Sequence, residues 1–167
     1  LTGTGYAEVA DDSDLDLGTG AFSFDGWAKY AFVNIGSSIN TIYTHFENSS
    51  TTGFSLNTKT GGILSAWFSG VELELSAGLS EGDWFYFALT RDASGNVKLY
   101  ASTDLENPAT TTQNPIISLT NAANKRVGGD ALTTRHYNNL ISDLRLYDTD
   151  LSSTEIENNY NAGLSAH

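Results

Sequence analysis

Residues 84–92, WFYFALTRD, put Trp84, Tyr86, Ala88 and Thr90 on one face of a strand and Phe85, Phe87, Leu89 and Arg91 on the other. Side chains alternate between the two faces of a strand, so this segment is stable only where both faces are covered. Ala93–Asn96, ASGN, supplies the glycine and asparagine of a tight hairpin turn, and Val97–Ala101, VKLYA, alternates behind it. Similar signals recur about every ten residues between Gly, Asn, Asp and Ser clusters, the pattern of an antiparallel sandwich and not of βαβ units. In VELELSAG, Val71, Leu73 and Leu75 are expected inward, with Glu72 and Glu74 in water. Thr103–Pro115 carries both prolines and little apolar matter, so it is expected as a long surface connection.

The last third reads differently. In Asn138–Gly163, Leu144 and Leu146 share one strand face while Asp143 and Arg145 share the other. Ser152 then opens an S-x-x-E capping box with Glu155, so Ser152–Tyr160 is expected as a short helix, with Gly163 as a left-handed stop.

Length and charge limit the function. With 167 residues, 40% of them hydrophobic and including 8 Tyr, 8 Phe and 3 Trp, the chain has material for one substantial core. No run approaches the roughly eighteen apolar residues of a membrane-spanning helix. Twenty acidic against 8 basic side chains give a formal charge of −12. That charge repels phosphate backbones and anionic lipid surfaces, so neither nucleic acid nor membrane insertion is expected, and neutral glycans or cations are left as partners. The absence of cysteine rules out disulfides, thiolate zinc sites and cysteine nucleophiles. A start at Leu1, with no methionine and no leader-like segment, reads as a piece cut from a longer polypeptide.

Few residues suggest catalysis. The histidines are His45, His136 and His167, and no G-x-S-x-G elbow accompanies them. Asp11–Asp16, DDSDLD, has the opening spacing of a calcium loop but lacks its glycine and terminal glutamate, so it reads as an acidic turn. Sugar recognition combines an aromatic face with amides, carboxylates or arginine that bridge hydroxyls. Asp130, Arg135, His136, Tyr137, Asn138 and Asn139 offer that mixture in one loop before the last strand, with Trp67 or Trp27 as sheet-borne platforms. Both tryptophans also suit a core. Asn48-Ser49-Ser50 fits an N-glycosylation sequon.

Taken in order, Gly5–Gly18, Phe22–Tyr30, Gly53–Gly70, Asp83–Thr103 and Asn138–Gly163 resemble the landmarks of laminin G-like domains, the concanavalin A-like lectin and glucanase superfamily. The departures are YAFVNI after Trp27, where a turn is common, and the polar, aromatic TTRHYNN at Thr133–Asn139. The resemblance implies an all-β antiparallel sandwich of jelly-roll type with one short C-terminal helix, a single domain over residues 1–167. It also implies one structural calcium ion at Asp143, with carbonyls from around Gly5 and Asp25 completing its shell. The catalytic strand of the family's laminarinase-like members would read E-x-D-x-x-E, whereas VELELSA lacks the third carboxylate. The expected function is therefore a non-catalytic carbohydrate-binding or adhesion module of an extracellular, cell-surface or virion-surface protein, meeting a glycan or polysaccharide. The alternatives are a structural decoration or spacer that binds a neighbouring protein and, less favoured, a glycan-degrading enzyme.

Overall fold

A computed structural model describes residues 5–31, 38–45, 53–68, 70–112, 116–130 and 135–167. The sequon and most of YAFVNI lie outside them. Two antiparallel sheets face each other. The first is built from β1 (Ala7–Val9), β3 (Ile39–Thr44), β4 (Phe54–Lys59), β5 (Ile63–Phe68), β6 (Val71–Ser76) and β10 (Lys125–Val127), in the order β1-β10-β3-β4-β5-β6. The second holds β2 (Phe22–Lys29), β7 (Trp84–Arg91), β8 (Asn96–Ala101), β9 (Asp104–Thr112) and β11 (Ile141–Tyr147), in the order β11-β2-β7-β8-β9.

Alternation along each strand fills the space between the sheets. Phe22, Phe24, Phe85, Phe87 and Leu89 from the five-stranded sheet meet Ile42, Phe54, Leu56, Leu64 and Phe68 from the six-stranded one. Phe54 is central, with its ring centroid 5.3 Å from those of Phe22 and Tyr43 and 5.8 Å from that of Phe68. Val71, expected inward, is 45% exposed because it lies at the start of the edge strand β6, whereas Leu73 is buried.

The other face of the five-stranded sheet is covered by α1 (Ser153–Gly163). Trp27, Tyr86, Ala88 and Tyr100 form a second apolar layer there with Ile156, which is why strand 84–92 is bulky on both faces. Ser152 caps the helix reciprocally with Glu155, as its spacing predicts. Ser23 ties the approach to the helix down, donating to the Thr149 carbonyl at 2.9 Å and accepting from the Leu151 N–H at 2.8 Å. Gly163 is not a left-handed stop. It is the last helical residue, followed by Leu164 in right-handed geometry (φ −55, ψ −33). A β-carbon at Gly163 would overlap the Trp27 indole, so glycine is needed there for close approach.

Two polar ties cross the fold. Asp25, fully buried, accepts from Tyr86 O–H at 2.7 Å, Arg145 Nε at 2.8 Å and Asn159 Nδ2 at 2.8 Å, joining β2, β7, β11 and α1. Arg91, also fully buried, donates to the carbonyls of Gly18, Gly20 and Ile117 at 2.8 Å each, and its guanidinium lies 5.1 Å from the centroid of the Phe22 ring.

The prolines mislead as to 103–115. Asp104–Thr112 is strand β9, and Pro108 is tolerated because β9 is an edge strand whose ladder is interrupted beside it.

Candidate functional site

The strand register defines one polar surface. Residues directly opposite one another share a face, which gives a row Glu8–Arg126–Thr44–Ser55–Trp67–Glu72 across the six-stranded sheet. The adjacent row is Thr41–Asn57–Ser65–Glu74. Both rows point away from the core, because the alternate residues Tyr43, Leu56, Ala66 and Leu73 lie within it. The middle of this outer face is a carpet of small hydroxyls and amides, and its two ends are walled by larger groups.

Within the carpet, Thr41 Oγ1 donates to Asn57 Oδ1 at 2.9 Å and Asn57 Nδ2 donates to Ser55 Oγ at 2.9 Å. Thr44 and Ser65 are fully buried, and among the described residues neither hydroxyl has a hydrogen-bond partner. A buried hydroxyl left unsatisfied costs about 1–3 kcal/mol. Trp67, half-buried, stands beside them outside both apolar clusters.

At the β6 end, Lys59 Nζ lies 2.6 Å from the carboxylates of both Glu72 and Glu74. Each glutamate is thus engaged by one shared ammonium. At the β1 end, the Arg126 guanidinium lies 4.9 Å from the centroid of the Tyr6 ring, and the His136 ring stacks parallel to Tyr6 at 6.3 Å. Arg126 Nε is 2.5 Å from Glu8, and its hydrogen bond holds that carboxyl below the usual glutamate range.

The residues expected to contact ligand divide. Arg135 lies beside the outer face, its carbonyl accepting from Thr41 N–H at 3.3 Å and its Nε 3.8 Å from the buried Asp130 carboxylate. His136 is at the same end through Tyr6, and Trp67 is toward the other. Tyr137 does not join them. It is fully buried between the sheets, where it donates to the Lys29 carbonyl at 3.1 Å and burial raises its phenol pKa. Asn138 is half-buried, and Asn139 is spent on the backbone, donating to the Tyr30 carbonyl at 3.4 Å and accepting from Leu140 N–H at 2.9 Å. Trp27 lies beneath α1 and is 3% exposed. Sequence reasoning did not select Asn57, Ser55, Ser65, Thr44, Tyr6 or Arg126, although F-S-L-N-T-K already places Ser55 and Asn57 opposite Phe54 and Leu56.

Asp143 interrupts β11. It has φ 54, and the register with β2 shifts between Ser142 and Arg145. Its carboxylate is 2.9 Å from His167 Nε2 and accepts from Ser142 Oγ at 3.1 Å, and these contacts hold its pKa below the usual aspartate range. Arg145 bonds Asp25 instead. Among the described residues no group of three or more His, Cys, Asp or Glu side chains converges to hold a metal, whereas calcium takes six to eight oxygens. Asp143 thus falls well short of a calcium shell on side chains alone.

A laminin G family model, Laminin_G_3, described as the Concanavalin A-like lectin/glucanases superfamily, matches residues 1–157. The chain belongs to that superfamily. Among solved concanavalin A-like structures, the binding domain of Paraclostridial Mosquitocidal Protein 1 aligns with a TM-score of 0.73 at 14% identity, over 96% of this chain and 42% of that one. The Ruminococcus gnavus IT-sialidase CBM40 aligns with a TM-score of 0.67 at 16% identity, over 92% of this chain and 96% of that one. The binding domain of Botulinum Neurotoxin DC in complex with SialylT aligns with a TM-score of 0.66 at 15% identity, over 94% and 39%. This chain therefore spans about two fifths of the toxin binding domains. At such identities the likeness shows the shared fold. No curated protein matches by sequence.

Proposed function

We propose that this domain is a non-catalytic carbohydrate-binding module whose ligand lies on the outer face of the six-stranded sheet. The observation that carries the reading is the placement of Trp67, half-buried and outside both apolar clusters, on the outer sheet face opposite Glu72. Trp67 offers an apolar face for a pyranose ring, and the partly exposed Glu72, Glu74 and Lys59 beside it offer acceptors and a donor for its substituents. Arg126 and Arg135 at the β1 end extend the surface for a longer chain. Membership of the concanavalin A-like lectin/glucanases superfamily, and a fold shared with a sialidase CBM40, support the same reading. A setting on an extracellular, cell or virion surface, as part of a larger polypeptide, completes the proposal. On a glycan array the domain is expected to retain at least one ligand, and Trp67→Ala to weaken it roughly tenfold or more, as for a buried aromatic anchor. Silence across a broad array, or full binding by Trp67→Ala, overturns the proposal.

Calcium at Asp143 is a separate proposal, supported by the family resemblance alone. Backbone carbonyls and water would have to supply most of its shell. In that case a chelator lowers the melting temperature of the domain, and Asp143→Ala abolishes the difference. Identical melts with and without chelator remove calcium from the account.

A further inference from the structure

The opposite side of the sandwich holds an open cavity of about 780 Å³, within the size range of small-ligand sites. Its origin is a mismatch between β8 and β9. Leu99 pairs with Ala109 and Ala101 with Asp104, so Leu105, Glu106, Asn107 and Pro108 lie opposite Tyr100 alone. Four residues against one force β9 to arch away from its neighbour. Pro108, with no N–H, cannot restore the ladder there.

Helix α1 closes the other wall. Ser153, Glu157 and Tyr160 line the cavity from successive turns of the helix, and Lys98, Tyr100 and Ser102 form the floor. Those three alternate with Val97, Leu99 and Ala101, which belong to the core, so the floor is the outer face of the five-stranded sheet. Glu106 enters from the arch. The lining thus combines two phenols, several hydroxyls, two carboxylates and one ammonium. Two carboxylates against one ammonium disfavour an anion, while the phenols and hydroxyls suit a polyhydroxylated ring.

We infer that the cavity between the β9 arch and α1 is a second carbohydrate site, which takes a short uncharged oligosaccharide. It is separated from the Trp67 face by the whole thickness of the sandwich and goes beyond the function proposed above. Glu106 and Glu157 accept hydrogen bonds from sugar hydroxyls, and Tyr160 supplies an apolar flank. Tyr160 also stacks on Trp27 at 5.6 Å, so the exposed carboxylates are the residues to vary.

The test is amide chemical-shift mapping of the labelled domain with lactose, maltotriose and chitotriose at millimolar concentration. At least one sugar is expected to shift the amides of Ser102–Asn107 and Ser153–Tyr160. Those shifts persist in Trp67→Ala, and the Glu106→Ala/Glu157→Ala double variant, with an unchanged melt, binds roughly tenfold or more weakly. The inference is overturned if no probe moves those amides, if shifts occur only around Ser55, Asn57 and Trp67, or if the double variant binds as the parent does. The second of these outcomes leaves the Trp67 face standing, and shifts at the arch alone would instead overturn the Trp67 face.

Discussion

Asp25→Ala is expected to destabilise the domain by about 1–3 kcal/mol, the usual cost of leaving a buried hydrogen-bonding group without its partner. The fully buried carboxylate is the common acceptor for Tyr86, Arg145 and Asn159, from β7, β11 and α1. Truncation leaves the buried Tyr86 phenol without an acceptor, takes from the partly exposed Arg145 its carboxylate and leaves Asn159 Nδ2 only Tyr147 Oη at 3.2 Å. Burial, reinforced by the neighbouring carboxylate, holds the Tyr86 phenol far above its usual pKa. Because the same carboxylate pins α1, the loss is expected to release the helix from the Trp27 layer as well. Denaturant unfolding of parent and variant checks this, with a rise in tryptophan exposure on the folded baseline. A loss below about 1 kcal/mol would show that water or a neighbouring group takes over the acceptor role, and that the tie is not what seats the helix.

Acid is expected to weaken the fold through His45. Its ring is fully buried against Phe54 and beside Tyr43, and burial, with the Lys125 ammonium adding repulsion, lowers its pKa from 6.5 to about 4. Nearby Asp16 and Asp11 oppose the shift without cancelling it. Between these two values the unfolded chain binds a proton that the folded chain refuses. The contribution is therefore fully present above pH 6.5 and declines as pH falls towards 4, by up to about 3 kcal/mol in total. Carboxylates titrate over part of the same window, so the measurement is a comparison. Stability from pH 7.5 to 4 should fall more steeply for the parent than for His45→Gln, and equal slopes would place the proton on His45 in the folded state without penalty.

The sandwich was legible because its signals are local. The double-faced strand 84–92 and the Ser152–Glu155 box each sit within a few residues of sequence and form as their spacing requires, and Leu144 and Leu146 both pack on the core although a bulge at Asp143 breaks the simple alternation of β11. Strand β9 was hidden because Asn107-Pro108 reads as a turn, whereas an edge position admits the proline and the threonines that follow favour a strand. The site was less legible for a different reason. Ser55, Asn57, Ser65 and Thr44 come from three strands, and only cross-strand register brings them into rows with Trp67 and Arg126. Polar composition alone favoured the loop before β11. Arg135 and His136 from that loop do reach the edge of the outer face, but Tyr137 is an apolar ring with one hydrogen bond to satisfy and goes to the core.

Arg91 anchors its surroundings by main-chain oxygens. The guanidinium on the central strand β7 holds the carbonyls of Gly18, Gly20 and Ile117, and every amino acid carries such an oxygen. Apart from Gly18, whose φ of 51 favours glycine, a change of side chain in the segments it fastens leaves that anchor in place. One cation buried in the sandwich thus holds two connecting segments by their backbone, whatever side chains they present outside.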